Sequence, residues 1–229
     1  REDIPVYIGE NKPLKRVYVD ARDTHEQDGL GETEISLGEE SKLYKDGAGF
    51  IRDQLEIAAA SGEKVSIIAL GPLTNIAKVL ELYPDCLEGL DEFVSMGGTF
   101  KSHGNCSPVA EYNYWCDPHS AKIVYEAFSK KDSLKDKLIY MVGLDVTRKI
   151  VLTPNILEYM KDLNEDLGSL IEEITRFYFN FHWKQEEVIG CVINDPLAVA
   201  YFYDRSVCEG RPFYTTITTE GESIGESIV

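Results

Sequence analysis

Positive charge is what this sequence has least of. Lys and Arg number 23 against 40 Asp and Glu, a formal net charge of -17 over 229 residues. Such a surface repels nucleic-acid phosphates and anionic membranes, so neither is expected as a partner. It suits solubility, and it leaves room for a bound cation. Cysteine is scarce as well. The five are Cys86, Cys106, Cys116, Cys191 and Cys208, an odd number with no CxxC pair. No His/Cys cluster has zinc-ligand spacing either, so reduced thiols in a cytoplasmic protein are the expectation. No run is long and apolar enough to span a bilayer, and no signal-peptide pattern opens the sequence. Linker-like and low-complexity stretches are missing too, which predicts a single domain over residues 1–229. A starting Met is also lacking. The chain opens at Arg1 in REDIPVYIG and closes in GESIGESIV, so both ends are expected to cut through structured parts of a longer protein.

What is present reads as alternating strands and helices. Hydrophobic residues make up 43% of the chain, enough for a sizeable core. Residues 4–9 (IPVYIG) predict a brief strand, and the polar, glycine-punctuated residues 20–38 a surface loop. Residues 49–61 have helical spacing and stop before Gly62. KVSIIAL (64–70) is a short apolar run of the kind buried in a parallel sheet. GPLTN follows it, and a helix over 76–82 completes a βα unit. Residues 93–96 predict the next strand. Asp117 and Pro118 predict an N-cap and first turn for a helix over 118–128. Residues 137–144 predict another strand, and Thr153 with Pro154 another helix start. Residues 167–184 predict a long helix whose Phe177, Tyr178, Phe181 and Trp183 belong to a core or a subunit interface. INDPLAVAYFY predicts a helix entered at NDP. Residues 214–219 and 222–229 predict a solvent-facing hairpin turning at Gly221. Together these predict an α/β fold with an open, mainly parallel sheet flanked by helices.

Ligands of such sheets sit beyond the carboxyl ends of the strands. GPLTN, MGG and DVT all fall there. The stretch from 96 to 118, MGGTFKSHGNCSPVAEYNYWCDP, fits neither a helix nor a strand period. Its Asn105, Glu111 and Asn113 can offer donors and acceptors to a polyhydroxyl ligand, or they can satisfy a turn network among themselves. Asp195 is either a helix N-cap or a ligand for a hard cation such as Ca²⁺. The carbonyl of Leu70 can face the same cation. His25 lies in a loop that can stay solvated or close over a ligand. His182 and Trp183 can pack a core or line a planar pocket. His103 and His119 have no partner legible in sequence.

VSIIALGPLTNIAKVL, SMGGTF…GNCSPVAEYNYWCDPHSAKIV, VGLDVTRKIVLTP and GCVINDPLAVAYF, in this order, resemble the inosine-uridine preferring nucleoside hydrolases over nearly the whole chain. The resemblance implies hydrolysis of the N-glycosidic bond of ribonucleosides to ribose and free base, assisted by Ca²⁺. It places Ca²⁺ ligands on Asp195 and the Leu70 carbonyl. It places ribose contacts on Asn105, Glu111 and Asn113, a pocket Met on Met96 and a mobile-loop His on His25. Residues near the base fall on Tyr178 and His182. A homodimer or homotetramer is implied as well. An acidic, amide-rich pocket stabilises an oxocarbenium-like transition state, so the chemistry agrees with that set. Two departures stand out. The family's N-terminal strand and its aspartate-rich DxDxGxDD motif, with the catalytic base, have no match in these residues. Asn194 stands where many members carry a His, and an amide cannot donate a proton to a leaving base at neutral pH. A nucleoside-binding protein without the base is the alternative implied by the first departure.

Overall fold

The structure, a computed structural model, describes residues 4–25, 29–31, 33, 43–134 and 136–229, except for the side chains of Asp23 and His25. In chain order its strands and α-helices are β1 (Val6–Tyr7), α1 (Arg22–His25), β2 (Leu43–Tyr44), α2 (Gly47–Ser61), β3 (Val65–Ala69), α3 (Thr74–Leu82) and β4 (Leu90–Met96). There follow α4 (Tyr112–Cys116), α5 (Pro118–Lys130), β5 (Ile139–Val142), α6 (Leu144–Thr147), β6 (Val151–Leu152) and α7 (Pro154–Leu163). The last are α8 (Glu165–Glu186), β7 (Cys191–Val192), α9 (Asn194–Tyr203), β8 (Thr216–Ile217) and β9 (Ser227–Ile228). Chain contacts cluster into two compact units. One comprises Arg1–Tyr18, Ser41–Val146 and Asn194–Val229; the other comprises Val19–Glu40 and Thr147–Ile193.

The first unit is built on a parallel sheet in the order β3-β4-β5. Strand alternation divides β4 between two cores. Phe93 packs into the cluster that holds Leu55 of α2, Val79 of α3 and Val124 of α5. Val94 and Met96 face the other way, toward Leu197, Ala198 and Tyr201 of α9. Helices therefore cover both faces, the α/β arrangement predicted. A fully buried Leu or Phe stabilises by about 1.5–3 kcal/mol, and eight buried Leu and Phe residues anchor the first cluster. β3 pairs with β4 on one side and with no described strand on the other.

Local signals set the helix ends. Gly62 adopts φ 75° after α2 and returns its N–H to Ala59, the left-handed cap that glycine tolerates best. Asp117 is buried and ties three segments together. Its Oδ1 caps α5 by accepting from the Ser120 N–H at 3.1 Å. Its Oδ2 accepts from the Leu14 N–H at 3.0 Å and from Thr74 Oγ1 at 2.7 Å. Thr153 caps α7 with Pro154 in its first turn.

Several expectations are corrected. The strand expected over 137–144 ends at Val142, and Leu144 opens the short α6. The irregular stretch after Met96 contains a helix, α4. Five residues are too few for a period to show in sequence. Residues 22–25 of the expected 20–38 loop are helical, and residues 26–28, 32 and 34–38 of it lie outside the described residues. The terminal hairpin exists as the antiparallel pair β8–β9. It is not solvent-facing throughout: Ile217 and Ser227 are buried, and Ile217 joins the cluster around α5.

In the second unit β6 and β7 pair antiparallel, and Arg148 bridges Glu186 at 3.3 Å. Helix α8 starts from an Asn164 cap. Its aromatics do not make a core within this unit. Trp183 is exposed, and only Gly168 and His182 of α8 are buried. Tyr178 meets the His182 ring edge-on at 4.3 Å.

Candidate active site

Four of the predicted residues converge where β3 and β4 end. Leu70 follows β3 and Met96 closes β4. The Asn113 Nδ2 bridges both, donating to the Met96 carbonyl at 3.0 Å and to the Leu70 carbonyl at 3.4 Å. It also lies 3.4 Å from Met96 Sδ. Asn113 is held there by α4, and α4 is held by Glu111. The Glu111 Oε1 accepts from the Asn113 N–H at 2.8 Å. Its Oε2 accepts from the Gly98 N–H at 2.8 Å and the Tyr114 N–H at 3.3 Å. One carboxylate thus caps the helix and pins the start of the loop. The turn-network reading is correct for these atoms: both Glu111 oxygens already serve backbone amides.

The glycines of MGG are required by Tyr114. A Cβ on Gly97 would lie 2.3 Å from the Tyr114 ring, and Gly98 combines φ 75° with the same obstacle at 2.8 Å. The ring is buried because its hydroxyl finds Ser95 Oγ at 2.9 Å and the Tyr125 hydroxyl at 3.0 Å. Those partners let a phenol sit in a core without an unmet hydrogen bond.

Asn105 is exposed beside this cluster. Its Oδ1 accepts from the Tyr112 N–H at 2.9 Å, which leaves its amide NH₂ for a ligand. Asp195 sits in the first turn of α9, next to Asn194. It keeps an exposed edge, yet the protein packed around it desolvates the carboxyl and raises it to about 6. Burial raises Glu111 further, to about 7, against the pull of its three amide donors, and the charge of Asp195 adds to the rise. Two carboxylates that feel each other at the ends of a sheet favour a bound cation or a shared proton. Among the described residues no Lys, Arg or His is within salt-bridge distance of either.

A cavity of about 810 Å³ opens beside Leu70, Tyr112 and Asn113, and residues 10–13 line its far side. The successive residues 67–70 all line it. Neighbours on a strand point to opposite faces, so the cavity runs along the free edge of β3 rather than over one face.

The fit to a calcium ion is right in kind and short in number. Asp195 and the Leu70 carbonyl are hard oxygen donors, the sort Ca²⁺ takes, but it takes about six to eight. No cluster of three or more His, Cys, Asp or Glu able to hold a metal occurs among the described residues.

Tyr178 and His182 belong to the second unit. His182 is buried, with Nδ1 3.1 Å from the Tyr178 carbonyl, and desolvation lowers it below the usual histidine value. His25 ends α1, and its side chain lies outside the described residues. Residues that sequence reading passed over include Tyr112, which lines the cavity, and Asp145, which binds the loop after Met96. The signal for Asp145 was there in DVT, a carboxylate just beyond a strand end.

Known proteins resemble the chain in sequence and in fold. The family model described as inosine-uridine preferring nucleoside hydrolase matches residues 1–229. A Leishmania major protein named inosine-uridine preferring nucleoside hydrolase is 32% identical over 206 residues, covering 89% of this chain and 62% of that protein. An Escherichia coli relative named non-specific ribonucleoside hydrolase is 31% identical over 220 residues, 96% of this chain and 67% of the relative. The structure of a purine-preferring ribonucleoside hydrolase from Gardnerella vaginalis superposes with a TM-score of 0.86 at 26% identity, covering 98% of this chain and 69% of that one. The chain thus spans some two thirds of its relatives' length. With residues 1–229 matched by the family model and the fold superposing on a solved relative, the chain belongs to the inosine-uridine preferring nucleoside hydrolase family.

Proposed function

We propose that the protein hydrolyses the N-glycosidic bond of ribonucleosides, with water supplying the hydroxyl that ribose gains and the proton that the free base gains. The observation that carries this reading is the junction of Leu70, Met96, Glu111 and Asn113 at the ends of β3 and β4, with Asn105 beside it. Asn105 and Asn113 hold the sugar in this reading. Glu111 fixes the wall they stand on and presents negative charge to a sugar that turns cationic in the transition state. Met96 packs beneath Asn113. The family resemblance assigns Tyr178, His182 and His25 to recognition of the base and Asn194 to the leaving-group side.

Asp195 and the Leu70 carbonyl supply part of a Ca²⁺ site in this reading. A bound Ca²⁺ would orient the attacking water and make it more acidic. The family resemblance puts the remaining ligands and the general base on an aspartate-rich motif that these 229 residues lack. The base preferred is open, since relatives carry names that specify purine, pyrimidine and non-specific hydrolases. A cytoplasmic homodimer or homotetramer completes the reading. Tyr159, Leu163 and Leu167 are exposed on α7 and α8 and offer apolar surface to a second copy.

The test is product analysis on the complete protein. Inosine, uridine, adenosine and cytidine are incubated with added Ca²⁺ or with a chelator, and free base and reducing sugar are measured. Base release that the chelator suppresses is expected. Nucleoside binding without base release under any condition would establish a binding protein instead.

A further inference from the structure

The loop that carries Asn105 is held from outside by a residue with no role assigned so far. After Met96 the chain passes through Gly97 and Gly98 and turns away from the sheet. The neighbouring strand β5 ends at Val142, and Gly143 follows. A Cβ on Gly143 would lie 2.6 Å from the Gly98 carbonyl, so the two strand ends meet as closely as bare backbone allows. The Leu144 N–H donates to that carbonyl at 3.0 Å. One residue further, the Asp145 side chain reaches back. Its Oδ2 accepts from the Phe100 N–H at 3.0 Å. Its Oδ1 accepts from the Lys101 N–H at 2.7 Å and the Ser102 N–H at 2.8 Å.

Three successive amides pointing at one place form an anion-binding concavity. Here the anion is part of the protein. Thr99 Oγ1 closes the turn by donating to the Ser102 carbonyl at 2.9 Å. The donors lie more than 40 residues from Asp145, so the contact is tertiary and not a local turn. Bonds of amides to an ionised carboxylate are about twice as strong as neutral ones. The loop has its own internal ties as well. The Gly104 N–H reaches the Pro108 carbonyl and the Asn105 N–H the Ala110 carbonyl. Those ties give residues 104–112 a shape. The carboxylate of Asp145 anchors the preceding stretch, 100–102, to the end of β5.

We propose that Asp145 is a positioning residue for the sugar site: it clamps residues 100–102 to the end of β5 and so holds the loop that carries Asn105 against the strand ends. The inference rests on the nucleoside hydrolase reading and adds a residue to it. Asp145 itself does not touch substrate. An Asn in its place keeps one acceptor oxygen but turns an NH₂ toward amide donors, so part of the clamp is lost. An Ala removes all of it and leaves the concavity open.

The experiment compares the complete protein with Asp145→Ala and Asp145→Asn. Hydrogen exchange of the peptide spanning 98–106 is expected to speed up about tenfold or more in Asp145→Ala, with β3 and α5 unchanged. KM for inosine or uridine is expected to rise about tenfold while kcat falls by less, the mark of weakened sugar binding. Added formate or acetate is expected to lower the raised KM of Asp145→Ala, because a small carboxylate can enter the vacated concavity, and to leave the unaltered protein unaffected. If Asp145→Ala does not fold, Asp145→Asn is expected to show the same changes at smaller amplitude. An unchanged KM in a folded variant would overturn the positioning role, as would a raised KM accompanied by unchanged exchange at 98–106. If the unaltered protein hydrolyses no nucleoside, the function fails separately, and exchange with and without formate still decides whether Asp145 clamps the loop.

Discussion

Glu111 makes the protein less stable as pH rises, and the size of the effect can be worked out. In an unfolded chain its carboxyl releases the proton near 4.5; in the fold it keeps it until about 7. Between those values the folded state binds more protons than the unfolded state, so stability falls with rising pH and levels off above about 7. At about 1.36 kcal/mol per pH unit, the loss totals about 3 kcal/mol. That is a large part of the roughly 5–15 kcal/mol that keeps a domain folded. Glu111→Gln has no proton to lose. It also gives up part of its grip on the Gly98, Asn113 and Tyr114 amides, a cost that does not depend on pH. The assay is urea unfolding of both proteins, with chelator present, at intervals from about pH 4.5 to 8. The variant is expected to gain about 3 kcal/mol on the parent across that range, whatever the offset at the acid end. Asp195 titrates in both proteins and cancels to first order. Stability curves that run parallel would refute the reasoning, because they would mean that Glu111 is ionised in the fold at the same pH as in the unfolded chain.

Other expectations follow from single residues. Asp117→Ala orphans the Leu14 and Ser120 amides and the Thr74 hydroxyl, at about 1–3 kcal/mol each, so denaturant unfolding should show a loss of several kcal/mol and Asp117→Asn a smaller one. A thiol reagent added to the folded protein should label Cys106 rapidly and Cys208 more slowly. Cys86, Cys116 and Cys191 are buried and should wait for unfolding; burial also pushes the Cys191 thiol to about 12. The 229 residues by themselves should release no base from inosine or uridine and should bind Ca²⁺ weakly by calorimetry, since Asp195 and Leu70 supply two of the oxygens a calcium ion needs. Normal turnover by this chain would overturn that expectation.

The strand-helix order was legible because it is written in short-range chemistry. From Val65 to Leu70 only the small Ser66 interrupts an apolar run, and Asp117-Pro118 and Thr153-Pro154 are helix starts that need no tertiary help. The length of β4 was not legible. Asp91 and Glu92 put charges after Leu90, and they fall where the register with β3 shifts, between the Val65–Leu90 and Ile67–Phe93 pairs and before pairing with β5 begins at Phe93. The strand expected over residues 4–9 is there as β1, but its partner β2 was hidden: a two-residue strand joined across more than thirty positions leaves no periodicity. At the site, residue types pointed to Asn105, Glu111, Asn113 and Asp195, but sequence could not tell how their atoms are shared. Glu111 spends both oxygens on backbone amides, and Asn113 spends its NH₂ on two carbonyls. DVT marked Asp145 as lying beyond a strand end, but its role was hidden because its partners are amides, and an amide looks the same at every position.

The free edge of β3 has a consequence for the sheet. Residues 65–69 present a row of backbone donors and acceptors on the side away from β4, with no described strand to receive them. Such a row acts as a template for any extended chain, its own kind included. Ile67 and Ile68 lie side by side in it, and no charge falls between Val65 and Ala69. An extended segment that reaches this edge would find its hydrogen-bond partners already in place, which makes β3 the point where the sheet can grow.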